Sequence, residues 1–351
     1  MIAMQLVLRS ELMRILSIGG TGFIGQHVVR SLAQAGHEVT VFHRGNSQAN
    51  LPSDVNYIHG DRNRIADYSR SLLDTAPDVI LDMMITTEEQ ARAFVHLFAD
   101  SGARVVMVSS ADVYRAYNRL FRREPGPPDR TPLAEEAPLR EKLYPYRNLD
   151  VPLEVAADAY DKIPAENHIR NHPQLSAAIL RLPMVFGPGD YLHRLYPYVR
   201  RMADHRPAIL LQQDQAGWRA PRGYVENVAA AITLAVLKER RDGQIYNVAM
   251  PEQPTEAQWV RLIGETMGWE GRVVTVPKEL LPDEMQQHYA FEQDWHLDTT
   301  RIRRELGYNE PVALDKALQR TVQWELANPP QAAEFDYEAE DALLRKLEGS
   351  W

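Results

Sequence analysis

Three glycines at a spacing of three, Gly19, Gly22 and Gly25, stand between a short apolar run and a helical pattern in "MRILSIGGTGFIG" (13–25). A strand that turns on glycine into a helix lets backbone approach a pyrophosphate and aims helix N-terminal amides at it. The spacing therefore predicts a dinucleotide cradle in which Gly19, Gly22, Phe23, Ile24 and Gly25 meet the cofactor. Further on, in "VTVFHRG" (39–45), His43 and Arg44 stand where an acidic residue would hold the ribose diol. An arginine there welcomes a 2′-phosphate, so NADP is the expected cofactor, with NAD as the alternative.

Other residues of reactive type point away from competing chemistries. The chain has no cysteine, which removes disulfides, thiolate metal ligands and cysteine nucleophiles. His168 and His172 could share a helix face, but no third ligand is evident and Pro173 follows, so no metal site is expected. Ser109 and Ser110 lack the G-x-S-x-G elbow that exposes a hydrolase nucleophile. Two arginine-rich stretches, 114–130 and 193–206, read either as solvated faces or as a mouth for an anionic substrate.

These residues need a scaffold. With 351 residues and 44% hydrophobic content the chain can bury a large core, either as one large α/β unit or as two lobes around a cleft. A net charge of -9 opposes nucleic-acid binding, and no apolar run is long enough to span a bilayer. The first dozen residues lack the basic start and cleavage site of a signal peptide, so a cytoplasmic location is expected. Apolar runs at 14–18, 37–44, 78–85 and 103–110 alternate with helical patterns at 23–35 and 88–102. That alternation predicts a parallel, doubly wound sheet. A Pro- and Arg-rich loop over about 115–150 follows, then a helix within 152–171 and a strand at 176–187. Helices at 223–239 and 255–268 flank a strand at 243–250, and the first turn of the second carries a Thr255/Gln258 capping box.

In sequence order, "GGTGFIG", "GDRNR" (60–64), "PDVILDMMI" (77–85), "VVMVSSADVY" (105–114) and "LRLPMVFGPGD" (180–190) make the first five pieces of a pattern. "RGYVENVAAAI" (222–232), "GQIYNVAMPEQPT" (243–255) and "LDTTRIRRELGY" (297–308) complete it. Together they resemble the extended short-chain dehydrogenase/reductases, the NAD-dependent epimerase/dehydratase family, over nearly all of residues 13–325. The resemblance implies a Rossmann-type α/β fold with a smaller C-terminal α/β substrate lobe. It places the dinucleotide-binding domain at 13–180 and an interleaved substrate lobe at 181–330, while leucines at helical spacing in the acidic tail predict a C-terminal helix at 331–351. It also implies that Asp61 and Arg62 lie by the adenine, that Met83 and Met84 line the cofactor trough, and that Ser109 joins the cofactor set.

Family members that transfer hydride use a Tyr whose phenolate is maintained by a Lys four residues on, with a Ser or Thr polarising the substrate oxygen. Ser110 matches the serine, since it lies four residues before Tyr114. The Tyr/Lys pair is altered: keeping Lys162 and Glu166 in register puts Asp158 at the tyrosine, whereas taking Tyr160 as the tyrosine puts Pro164 at the lysine. Lys162 is expected to keep a ribose role, and Asp158, Tyr160, Tyr114 and Tyr146 are the open candidates for the acid/base group. Met184 and Phe186 stand where nucleotide-sugar enzymes of the family show Asn and Tyr, while Arg219 and Arg222 flank their diphosphate arginine. The expected activity is epimerase, dehydratase or reductase chemistry on a polar, anionic or nucleotide-sugar-like small molecule, with a homodimer as the open assembly. The alternative is a non-catalytic NADP sensor, or an RNA- or partner-binding relative.

Overall fold

The apolar runs become strands of one parallel sheet. A computed structural model describes residues 11–46, 49–149, 157–238, 243–331 and 335–348. Its strands are β1 (Arg14–Ile18), β2 (Glu38–His43), β3 (Asn56–His59), β4 (Val79–Asp82), β5 (Arg104–Ser110) and β6 (Ala177–Leu182). They continue as β7 (Met184–Phe186), β8 (Ala208–Gln212), β9 (Arg222–Tyr224), β10 (Ile245–Asn247) and β11 (Arg272–Val276). Seven of them form a parallel sheet in the order β10-β6-β5-β4-β1-β2-β3. The order reverses between β1 and β4, and a crevice opens at their carboxyl ends, where doubly wound sheets bind ligands.

The helices are α1 (Gly25–Gln34), α2 (Ser69–Leu73), α3 (Glu88–Phe98), α4 (Arg115–Leu120), α5 (Lys162–Arg170) and α6 (Tyr196–Ala203). After them come α7 (Gln213–Gly217), α8 (Val225–Leu237), α9 (Glu256–Met267), α10 (Thr300–Leu306), α11 (Leu314–Ala327) and α12 (Glu338–Glu348). One face of the sheet is covered by α1 and α8 through Val28, Val29, Leu32, Val228 and Ile232. The other is covered by α3 and α5 through Phe94, Phe98 and Ile169. Covering both faces explains why most of β1, β4 and β5 is buried and apolar rather than alternating. Among the described residues no helix is long and apolar enough to cross a membrane.

Three features depart from the sequence expectations. The strand expected at 176–187 is two strands, because Pro183 has no N–H for a ladder; β6 stays in the main sheet and β7 pairs with β9 in a small second one. The segment from 115 begins as α4 before turning irregular. Of the helix expected within 152–171, residues 162–170 form α5, and 150–156 lie outside the described residues. The basic stretch 193–206 and the acidic C-terminal helix meet each other: Arg201 pairs with Glu340 at 2.6 Å, and Arg206 pairs with Asp341.

Candidate active site

The glycine turn follows β1 directly, and its glycines serve different needs. A Cβ on Gly25 would lie 2.5 Å from the Gly20 Cα, so this glycine lets α1 pack onto the turn. A Cβ on Gly22 would meet nothing within 4 Å, because Gly22 faces a cavity of about 300 Å³. His43, Arg44, Asp61 and Arg62 border the same cavity, as does Met84, which lies over Gly19. Arg62 is fixed by Asp82 at 3.1 Å and the Gln90 carbonyl at 3.0 Å, leaving its buried Nε and Nη1 without a partner. The His43 ring packs 4.9 Å from His59, and burial, helped by that neighbour, lowers its pKa. An open glycine face opposite orphaned guanidinium donors and a neutral imidazole fits the adenosine and phosphates of a dinucleotide.

A second cluster gathers where β5 ends. Asp112, two residues beyond Ser110, is buried and accepts hydrogen bonds on Oδ2 from Tyr146 and Tyr160, each at 3.0 Å. Among the described residues its Oδ1 has no partner. Burial raises the Asp112 pKa, against the pull of Arg140 and of the two phenols. The same burial, reinforced by the Asp112 carboxylate, holds the Tyr146 and Tyr160 phenols well above their ordinary value and pushes Tyr117 up to about 12. These phenols are donors, not bases. Tyr117 extends the chain through a 3.0 Å contact with the Tyr146 hydroxyl, and the Ser110 hydroxyl caps the Asp112 amide.

Lys162 stands beside this cluster but bonds elsewhere. Its ammonium donates to the carbonyls of Ile85 at 2.5 Å and Val108 at 3.0 Å, tying together the chain beyond β4 and the end of β5. Complete burial pushes its pKa down to about 8. Tyr160 and Lys162 do not share a helix, because α5 starts at Lys162 and Tyr160 precedes it. Pro164 then falls in the first turn, where an amide has no helical partner to lose. Asp161, the N-cap, accepts from Ile163 and pairs with buried Arg140 at 3.0 Å, which locks the entry to the helix.

Beyond Ser110, Asp112, Tyr117 and Tyr146 opens a cavity of about 480 Å³. Met184 and Phe186 of β7, Arg222 of β9, and Trp218, Trp259 and Trp295 share its wall.

Several expected site residues lie elsewhere, and each has a local reason. Ser109 is turned to the other side of the strand, where its hydroxyl bonds Glu166 beside the Arg181–Glu166 ion pair. Tyr114 is fully buried between Asn247 and Arg181. Asp158 is exposed and accepts from the Asn148 amide, so it does not reach the cluster. Arg219 borders a different cavity and is bound to the Gln253 carbonyl. Three arginines of 114–130 are internal ties: Arg115 and Arg119 hold Asp129 at 2.6 and 2.8 Å, and Arg123 bonds the Pro145 carbonyl, while Arg122 and Arg130 are exposed. Asp112 is the residue that sequence reasoning passed over, although an acid two residues past Ser110 at a strand's carboxyl end was a usable signal.

A seven-stranded doubly wound sheet with a glycine turn at its switch point, and a buried carboxyl and phenol cluster at the end of a strand two places away, has the Rossmann-type fold. The sequence model of the NAD dependent epimerase/dehydratase family matches residues 15–249, and the chain belongs to that family. A 2′-dehydrokanamycin reductase of Streptomyces kanamyceticus is 26% identical over 284 residues, covering 79% of this chain and 73% of the reductase. A dTDP-glucose 4,6-dehydratase of Bacillus anthracis in complex with NAD shares the fold with a TM-score of 0.65 at 19% identity, over 90% of this chain and 97% of that one. A UDP-glucose 4-epimerase of Thermotoga maritima with UDP-glucose matches at 0.64 and 19% identity, over 89% and 98%. The family is NAD(P)-dependent, and the relatives are a reductase, a dehydratase and an epimerase.

Proposed function

We propose that this chain is an NADP-dependent oxidoreductase that interconverts a keto group and a secondary alcohol on a polar small molecule. The observation that carries the reading is Asp112, a buried carboxyl held by two phenols on one oxygen and unpartnered on the other, at the cavity wall beside Ser110. Gly22 and the turn around it would receive the pyrophosphate, Arg44 the 2′-phosphate and Arg62 the adenosine end. Lys162 has three donors, of which two hold backbone carbonyls, and the third would serve the ribose. When bound, the cofactor supplies or accepts the hydride. A 2′-dehydrokanamycin reductase among the relatives supports the reductive direction.

In that direction Ser110 orients the substrate carbonyl and Asp112 delivers the proton. With both phenols donating to Oδ2, the proton of the neutral acid belongs on Oδ1, the atom without another partner. Transfer to the carbonyl oxygen leaves a carboxylate that Tyr146 and Tyr160 already solvate, and solvent returns the proton later. The raised pKa keeps the acid form populated nearer to neutrality.

The test is NADPH oxidation over a panel of keto sugars that includes 2′-dehydrokanamycin. Asp112→Asn retains the shape and should lower kcat by about 10²–10⁴-fold with NADPH affinity unchanged. Full activity in Asp112→Asn overturns the assignment. NADPH binding without turnover of any panel member would move the protein to the cofactor-sensor reading.

A further inference from the structure

Among the described residues, the wall of the 480 Å³ cavity carries two cations, Arg194 and Arg222, and each is already neutralised. Arg194 pairs with the buried Asp190 at 2.6 Å and also donates to the Val185 carbonyl. Arg222 pairs with Glu256, whose other oxygen accepts from the Tyr198 hydroxyl at 2.6 Å, and both members of the pair are buried. The wall contributed by 287–295 offers Gln287, Tyr289, Phe291 and Trp295 and no cation. Of the arginine-rich segments, Arg115 and Arg119 are held by Asp129, Arg201 by Glu340 and Arg206 by Asp341, and only Arg194 lines this cavity. A diphosphate brought here would find no uncompensated positive charge and would share the cavity with Asp112 and Glu256.

What the cavity does offer is neutral. Arg222 Nη1 is a buried donor with no partner, and Asp112 Oδ1 is a buried oxygen with no partner, both on residues that line the space. Hydroxyl groups, which donate and accept, match that pair. Aromatic rings supply broad apolar faces: Trp295 packs on Tyr117 at 4.9 Å, Trp218 on Phe291 at 5.6 Å, and Trp259 on Phe186 at 5.1 Å.

We infer that the substrate is a phosphate-free sugar or glycoside, held by hydroxyl contacts to Arg222 and Asp112 and by its ring faces on the aromatic wall, rather than a nucleoside diphosphate sugar. The inference rests on the oxidoreductase reading for its site, but the ion pair gives it a separate test. UDP is titrated calorimetrically into the NADPH-bound protein, wild type and Glu256→Gln, which uncovers the Arg222 charge while retaining an acceptor. The wild type should bind UDP more weakly than about 1 mM, and Glu256→Gln should bind it at least about tenfold more tightly. If Glu256→Gln does not fold, Tyr198→Phe, which frees one Glu256 oxygen, is compared with the wild type by quenching of the cavity tryptophans by UDP, and no binding tighter than about 1 mM is expected from the wild type. In parallel, one keto sugar is offered as its methyl glycoside and as its UDP conjugate, and the glycoside should have the higher kcat/KM. Wild-type binding of UDP below about 100 µM, or preferred turnover of the conjugate, overturns the inference and leaves the oxidoreductase reading intact. Loss of NADPH binding itself would instead strike at that reading.

Discussion

Gly22 and Gly25 look equivalent in sequence, and the structure separates them. On Gly25 an added Cβ would stand 2.5, 2.8 and 3.1 Å from the Cα, C and O of Gly20, all backbone. Ordinary carbon contacts lie at about 3.5–4.0 Å, so α1 must withdraw by about 1 Å, and with it Val28, Val29 and Leu32 from the core. Overpacking of this kind costs about 1–3 kcal/mol. Gly25→Ala should therefore lower the melting temperature of the cofactor-free protein by about 1–4 °C. On Gly22 the same atom meets nothing within 4 Å, and its backbone lies outside the left-handed region, so Gly22→Val should leave the cofactor-free melting temperature nearly unchanged. Its isopropyl group instead enters the cavity meant for phosphates. The assay is a thermal melt with and without NADPH at about 100 times its Kd, where binding stabilises the wild type by about 2.7 kcal/mol. Gly22→Val should lose that increment, while Gly25→Ala should retain a measurable part of it. A full NADPH shift in Gly22→Val would refute the cradle, and an unchanged cofactor-free melt in Gly25→Ala would refute the packing role.

Arg44→Ala should weaken NADPH by more than about tenfold and NADH little, measured by fluorescence titration, since only NADPH loses a charge-assisted phosphate contact; equal losses would remove the basis for NADP. Tyr146→Phe deletes one donor to the Asp112 carboxylate, so the Asp112 pKa should rise further and the alkaline limb of kcat/KM for reduction should move to higher pH. Because a carboxyl with a raised folded pKa contributes stability at acid pH that is lost as pH rises through that pKa, Asp112→Asn should flatten the alkaline decline of stability in urea titrations. Lys162 behaves oppositely. Its pKa is lowered to about 8 from 10.5, so the folded state binds fewer protons in that interval and stability from this group rises with pH across it. Lys162→Met should abolish that rise, weaken NADPH and lower turnover together.

The glycine turn, the alternation of strand and helix, and the positions of Ser110, His43 and Arg44 were legible in the sequence because each depends on neighbours a few residues away. A turn needs glycine at fixed offsets, and buried parallel strands need unbroken apolar runs. The Asp112 cluster was not legible. Asp112 and Tyr160 meet across 48 residues, and Tyr146 reaches the same oxygen from an irregular segment without periodicity. The helix expected within 152–171 would have carried Asp158, Tyr160 and Lys162 together, whereas the Asp161 cap starts α5 after the first two. Charge misled for a related reason. Sequence shows which arginines are present but not which carboxylates reach them, and Arg222–Glu256, Arg201–Glu340 and Arg115–Asp129 were decided by packing between distant segments. Local spacing thus determined the glycine turn and the cavity it faces, while the tertiary structure alone decided which carboxyl meets Tyr146 and Tyr160 and that, among the described residues, both arginines lining the neighbouring cavity are paired with carboxylates.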